Sequence, residues 1–353
     1  MSKHTLKALI LLMLTGLNQW VLAQADQKEK PLYDTVYIHS FKAHPHLTFE
    51  FARRMQLIDI RSVKNEQLKI RYLPNTLFNF ITSFDYRWLS LSLGLFKVPV
   101  NNDNGNTNQF SLRASFNGRK IWNTNFIQYY DGFYLDNPDQ IDPSGELAKS
   151  DLRLRPDISS FSIFSNLAYC FSPERFSYRA ALWQLDRQKK SAGSFVAGAS
   201  YHLNLMLSDS SIGMIPEKAQ QYFEPGRRLV SQRLSNFTVH GGYIHTFVLQ
   251  KFWFITLYFL PGISQQGGAY LAEDGLVRKN SSRLVVASEF RFIAGYNADR
   301  WFAGISSHSL SFSGNRRTEI WVDNSYSWFR LFAGFRFNAP GAGRPSFLKA
   351  LRL

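Results

Sequence analysis

His308 follows Ser306 by two positions, and His202 follows Ser200 by the same interval. Residues two apart on an extended strand project from one face, so either pair could set a histidine base beside a serine nucleophile. An outer-membrane lipid hydrolase or acyltransferase could be built that way. No obvious orienting acid accompanies either histidine or His245, which stands between Tyr243 and Phe247, and Asn204 shares the face of His202 as one more polar lining residue. The serine-rich run Ile305 to Ser313 supplies such pairs by chance. Polar lining of an interior is therefore the preferred reading of His308, Ser306, His202 and Ser200, and no catalytic residue is assigned. His39, His44 and His46 cluster loosely, but no second cluster and no nearby cysteine completes a metal site. They are expected in solvent, and no metal or other cofactor is expected. No phosphate loop, dinucleotide fingerprint or zinc-protease helix is present.

The charged residues are more informative than the histidines. Arg113, Arg179, Arg291, Arg330 and Arg336, with Asp85 and Glu289, each fall on the polar parity of a segment whose other parity is apolar. In Asn108–Asn117, Phe110, Leu112, Ala114 and Phe116 share one face, while Ser111, Arg113 and Ser115 share the other. A charge on a lipid face at mid-depth costs roughly 2–4 kcal/mol. If these segments cross a membrane, the seven charges must line a lumen. Salt-bridge ladders filling that lumen are preferred over an anion-selective channel.

The elements that carry these residues read as twelve strands, near 77–87, 88–97, 107–117, 120–131, 158–171, 175–186, 194–207, 236–248, 251–262, 282–294, 298–311 and 324–338. Hairpin turns are expected at Asn117-Gly118-Arg119, Ser172-Pro173-Glu174, Gln250-Lys251 and Asn297-Ala298-Asp299. Longer polar connections fill 132–157, 208–235 and 264–281. The alternation of tight turns and long loops fails once, at 208–235, so either a strand hides near Arg228–Leu234 or one hairpin is misdrawn. Fourteen strands is the alternative count. Phe195, Tyr201, Leu203, Leu284, Phe290, Phe329 and Phe337 are expected to face lipid, as are Phe176, Tyr178, Ala180 and Leu182. Tyr243 to Ile263 is greasy enough for a helix, but Gln250-Lys251 divides it into pieces too short to cross as one.

Export is expected from Lys3 and Lys7, the apolar run Ala8 to Leu17 and the small-residue site Val21-Leu22-Ala23. The 353 residues include a single cysteine, Cys170, so no intramolecular disulfide staples the chain. Aromatics make up 16% of the sequence, yet mean hydropathy is −0.22, as expected where half of each strand meets water. The formal charge is +15. Export disfavours nucleic acid as the partner of that charge and favours lipopolysaccharide phosphates or anions within the lumen.

Several stretches in order resemble a known family. They are Tyr72-Leu73-Pro74-Asn75, Ser83-Phe84-Asp85-Tyr86-Arg87-Trp88-Leu89-Ser90-Leu91, Tyr129-Tyr130-Asp131-Gly132-Phe133-Tyr134-Leu135, Arg155-Pro156-Asp157, Phe176-Ser177-Tyr178-Arg179-Ala180-Ala181 and Gln188-Lys189-Lys190-Ser191-Ala192-Gly193-Ser194-Phe195. Together they resemble the uncharacterised Bacteroidota family catalogued as domain of unknown function 4421, grouped with outer-membrane β-barrels. The resemblance implies location and architecture and brings no established catalytic residues.

The expected protein is thus all-β: a porin-like transmembrane antiparallel β-barrel of about twelve strands. Residues 1–23 are the signal peptide, 24–66 a periplasmic lead-in, 67–338 the barrel and 339–353 a basic tail. Its expected role is transport or structure in the outer membrane. Outer-membrane lipids, lipopolysaccharide and the barrel-assembly machinery are its expected partners, and it is expected to be a monomer.

Overall fold

In the strand Asn79–Tyr86, Phe80, Thr82 and Phe84 are exposed, while Ile81, Ser83 and Asp85 are buried. The same alternation organises most of the molecule. The computed structural model describes residues 33–62, 68–76, 78–97, 103–209, 211, 213–223, 229–272, 275, 277–314 and 320–338. Its strands are β1 (Ile38–Ser40), β2 (His46–Ser62), β3 (Lys69–Leu73), β4 (Asn79–Tyr86), β5 (Leu89–Lys97), β6 (Asn108–Asn117), β7 (Ile121–Leu135), β8 (Leu154–Cys170), β9 (Asp186–Gln188), β10 (Ala192–Leu207), β11 (Leu229–Leu249), β12 (Trp253–Ala272), β13 (Val277–Asn297), β14 (Trp301–Gly314) and β15 (Ile320–Arg336).

Twelve of these close into an antiparallel barrel. The path runs β2, β4, β5, β6, β7, β8 and β10 to β15, and then β15 returns to β2. The closing pair extends from Ile320 opposite Ser62 to Arg336 opposite His46. Closure removes the two free edges that an open sheet of these strands would present, a condition a strand-built body must meet in lipid. The short β3 bridges β2 and β7 above β4.

Tight turns gather at one end. Arg87, Gln250 and Lys251 take left-handed backbone there, at φ of 55°, 43° and 59°. The expected turns at 117–119, 250–251 and 297–299 are all present. Long connections gather at the other end, which holds the helical turns Pro138–Ile141 and Glu146–Lys149 and the 3₁₀ turn Glu217–Tyr222. Among the described residues, no helix is long and apolar enough to cross a membrane.

The count of twelve is right, but one expected member is not a barrel strand and another takes its place. Residues 175–186 form no barrel strand. They enter the lumen with the helix Tyr178–Trp183, which Ser177 caps by accepting from Ala180 N and which Gln184 ends in left-handed backbone. Phe176, Tyr178, Ala180 and Leu182, expected to face lipid, are all buried inside. Six residues containing Arg-Ala-Ala-Leu favour helix, and over so short a span two- and 3.6-residue periods look alike. The second correction lies at 46–62, expected as periplasmic lead-in, which is the first barrel strand. These two changes remove the irregularity at 208–235: Ser172-Pro173-Glu174 opens an insertion, and every later strand keeps its direction. The strand that seemed to hide near 228–234 is the start of β11 itself.

Strands are also longer than the alternation implies. β11 and β13 have 21 residues each, about twice the roughly 9–11 that cross a bilayer. The surplus, such as Gln265-Gln266-Gly267-Gly268 of β12, lacks an apolar outer face and so carries no signal of alternation. Outside, Phe195 is 67% exposed, Leu284 71% and Phe259 53%, which defines a greasy belt.

Candidate functional site in the barrel lumen

The turn end is stoppered by two segments, residues 33–45 and the insertion 171–191. They join through β1 and β9, with Ile38 opposite Gln188 and Ser40 opposite Asp186. Asp186 is the hub. It accepts from Ser40 Oγ at 2.9 Å and Ser177 Oγ at 2.7 Å, and it pairs with Arg179 and Arg119, each at 3.3 Å. Burial works to raise its carboxyl, but the Arg179 and Arg119 guanidinium groups outweigh burial and hold it below the usual carboxylate range.

Arginines tie this plug to the turns. Arg179 Nη1 donates to Arg87 O at 2.8 Å and to Asn117 O at 2.9 Å. Arg336 donates to Gln184 O of the plug at 2.5 Å and to Ala298 O of the β13–β14 turn at 2.6 Å, its guanidinium lying 3.9 Å over the Phe41 ring. Tyr178 stacks on Trp122 with centroids 3.7 Å apart and donates to Asn117 Oδ1 at 2.9 Å.

Above the plug, two carboxylates gather Arg113, Arg330 and Arg291. Glu50 accepts from Arg330 Nη1 at 2.9 Å and lies 3.4 Å from Arg113 Nη2. Arg330 also donates to Leu182 O of the plug helix at 3.0 Å. Glu289 accepts from Arg291 Nη2 at 2.6 Å and from the Tyr258 hydroxyl at 2.9 Å. His308 Nε2 lies 2.8 Å from Glu289 Oε1, and its ring stacks on Trp328. Between the two hubs is a cavity of about 90 Å³ floored by Leu182 and Trp183.

The loop end is closed by an apolar cap. Ile141 and Leu147 from one connection and Met214, Ile215 and Phe223 from another pack on Ile58, Ile60, Tyr72 and Tyr130. Asp142 links those connections, accepting from Leu147 N at 2.9 Å and from Lys218 Nζ at 2.9 Å. Its bonds from Ser144, Lys218 and Leu147 hold its carboxyl below the ordinary range. Tyr72 donates to Met214 O at 2.9 Å.

Asp85, Arg113, Arg179, Glu289, Arg291, Arg330 and Arg336 all point inward, and most of them pair or hydrogen-bond across strands or to the plug. Asp85 stands opposite His46 and Ser90 in register. The His/Ser pairs do not gather at a lipid boundary. His308 belongs to the Glu289 hub. His202 is buried, stacked on Phe312 and edge-on to Tyr326. His46, expected in solvent, is buried against Phe41 and Phe302. Among the described residues, no group of three or more His, Cys, Asp or Glu is placed to hold a metal ion.

Glu50, Arg54, Arg119, Trp183 and Asp186 are lumen residues that parity reading missed. Leu47, Phe49 and Phe51 carried a signal for the first two. Arg53-Arg54 hid it by placing a charge on each face: Arg53 points out, one residue beyond the Ala52–Asn79 pair that ends the β2–β4 ladder. A long side chain at such a rim can extend its charge to water.

The chain belongs to the family described as Domain of unknown function (DUF4421), which it matches over residues 32–337. No curated protein matches it. Among solved structures it is similar to the outer membrane protease OmpT from Escherichia coli, at 7% identity and a TM-score of 0.40, covering 84% of this chain and 97% of that one. It is also similar to the Ralstonia pickettii toluene transporter TbuX, at 11% identity and a TM-score of 0.32, covering 84% and 90%. The translocator domain of the autotransporter NalP from Neisseria meningitidis is similar at 7% identity and a TM-score of 0.30, covering 82% and 88%. At these scores the likenesses do not bear on what this chain does.

Proposed function

We propose that this protein is a monomeric outer-membrane β-barrel with a closed lumen, serving a structural or surface role rather than acting as an open diffusion pore. The observation that carries this reading is the Asp186-centred plug, bound to Arg179 and Arg119 while Arg179 and Arg336 bind it to the turns. The belt of exposed Phe, Leu, Ile and Val supports insertion in lipid, since a soluble body rarely leaves so much contiguous apolar surface exposed. The closed β2–β15 seam supports the monomer, because the first and last barrel strands pair with each other and not with a second chain. Insertion would follow export and the barrel-assembly machinery, with lipopolysaccharide meeting the basic surface.

Purified protein in a planar bilayer tests the proposal. The expected trace is flat at moderate voltage. A steady open current from the intact protein would overturn it.

A further inference from the structure

The cavity above the plug is unbalanced in charge. Arg54, Arg113, Arg291 and Arg330 line it, against Glu50, with Glu289 behind Arg291. Glu50 is shared between Arg330 and Arg113, and Glu289 is taken by Arg291, Tyr258 and His308. Arg54 has neither. It is 8% exposed, its guanidinium lies 4.7 Å over the Phe126 ring, and its Nη1 has no hydrogen-bond partner among the described residues. Arg113 Nε is a second buried donor without one. Three buried guanidinium groups around one carboxylate leave an excess of positive charge, which is strongly disfavoured away from water, and chains satisfy nearly all such donors. An anion in the chamber would remove both deficits at once.

We infer that this chamber is a binding site for a small tetrahedral oxyanion of the phosphate or sulfate class, held by Arg54 and Arg113. Size restricts the class. About 90 Å³ holds a few waters or one small polyatomic ion, far below the roughly 300–1,000 Å³ of sites for larger ligands. Chemistry restricts it further, since the planar fork of arginine matches phosphate oxygens in a bidentate way that chloride cannot use. Trp183, stacked beneath Arg113 at 3.8 Å, holds that guanidinium in place from the plug side. Lipid headgroups are excluded as the source by the walls of the barrel, so the occupant is the free ion.

The site rests on the closed-lumen reading for its burial, and the test reads the two separately. The full chain is refolded from denaturant into detergent with labelled inorganic phosphate present, so that access through the plug does not limit binding. Free label is then removed by gel filtration. About one phosphate per chain is expected to remain, displaced by sulfate during refolding but not by chloride at equal ionic strength. Arg54→Met is expected to lower retention at least tenfold, whereas Arg187→Met, outside the chamber, leaves it unchanged. Should Arg54→Met fail to give a folded band on unheated gels, Arg54→Lys keeps the charge and is expected to weaken retention. No retained phosphate in the wild type, or equal retention in the folded Arg54 variant, overturns the inference. A conducting barrel that still retains phosphate counts against the closed lumen alone.

Discussion

Glu50 of the first barrel strand accepts a hydrogen bond from Arg330 of the last, at 2.9 Å, across the seam where the two ends of the chain meet. In register Glu50 faces Phe332 and Arg330 faces Ala52, so the pair crosses the seam diagonally on the lumen side. The pair ties closure of the barrel to its interior, because Arg330 also holds Leu182 of the plug helix.

Replacing that carboxylate should loosen the seam. Glu50→Ala leaves Arg330 and Arg113 buried without their shared partner, a change that costs about 3–5 kcal/mol when a buried pair is broken. Denaturant unfolding in detergent should show a lower midpoint. An unchanged midpoint would mean that the seam is held by its backbone ladder alone.

Asp186 governs the plug. Asp186→Asn should leave the barrel folded on unheated gels while giving intermittent current in a planar bilayer where the parent gives none. Cys170 offers a second readout, being buried beneath the plug in a cluster with Phe176, Tyr178 and Ala181. A maleimide should leave it unmodified in the intact fold and label it far faster in Asp186→Asn. Equal labelling rates would show that the plug does not depend on this carboxylate.

Acid should act late on the same contact. Because the folded Asp186 carboxyl is held below its unfolded value, its contribution is complete above the usual carboxylate range near 3.9 and is lost only as pH falls through its own lowered pKa. Cys170 modification by a dithiodipyridine, which reacts with thiols in acid, taken relative to a free thiol at the same pH, should therefore stay slow from neutral pH down through about pH 4 and rise only in stronger acid. A rise between pH 7 and 5 would contradict the sign of this linkage.

The outer belt should be graded in depth. Phe259→Arg, placing a charge within the belt, is expected to destabilise by about 2–4 kcal/mol, and Trp253→Arg beside the turn by roughly 0–1. Both residues are 53% exposed on the same strand, so burial against protein does not explain a difference between them. Reversible folding into lipid vesicles measures both, and equal costs would remove the support for lipid around this surface.

Much of this architecture was legible because a strand with lipid on one side and a packed lumen on the other must alternate at period two. Phe80, Phe84, Phe195, Leu284 and Phe329 face out and Arg113, Glu289 and Arg330 face in for that reason alone. Local parity could not recognise an inserted helix six residues long, nor a strand whose Arg53 and Arg54 charge both faces at the rim. By itself the sequence pointed to an all-β barrel of about twelve strands, with fourteen as the alternative, and to a basic interior. Tertiary structure alone decided which twelve, that residues 171–191 turn inward, and which acid meets which arginine. Those outcomes depend on contacts such as Arg179 with Asn117 and Arg330 with Glu50, between residues 62 and 280 positions apart, and no local pattern encodes a partner at such a distance.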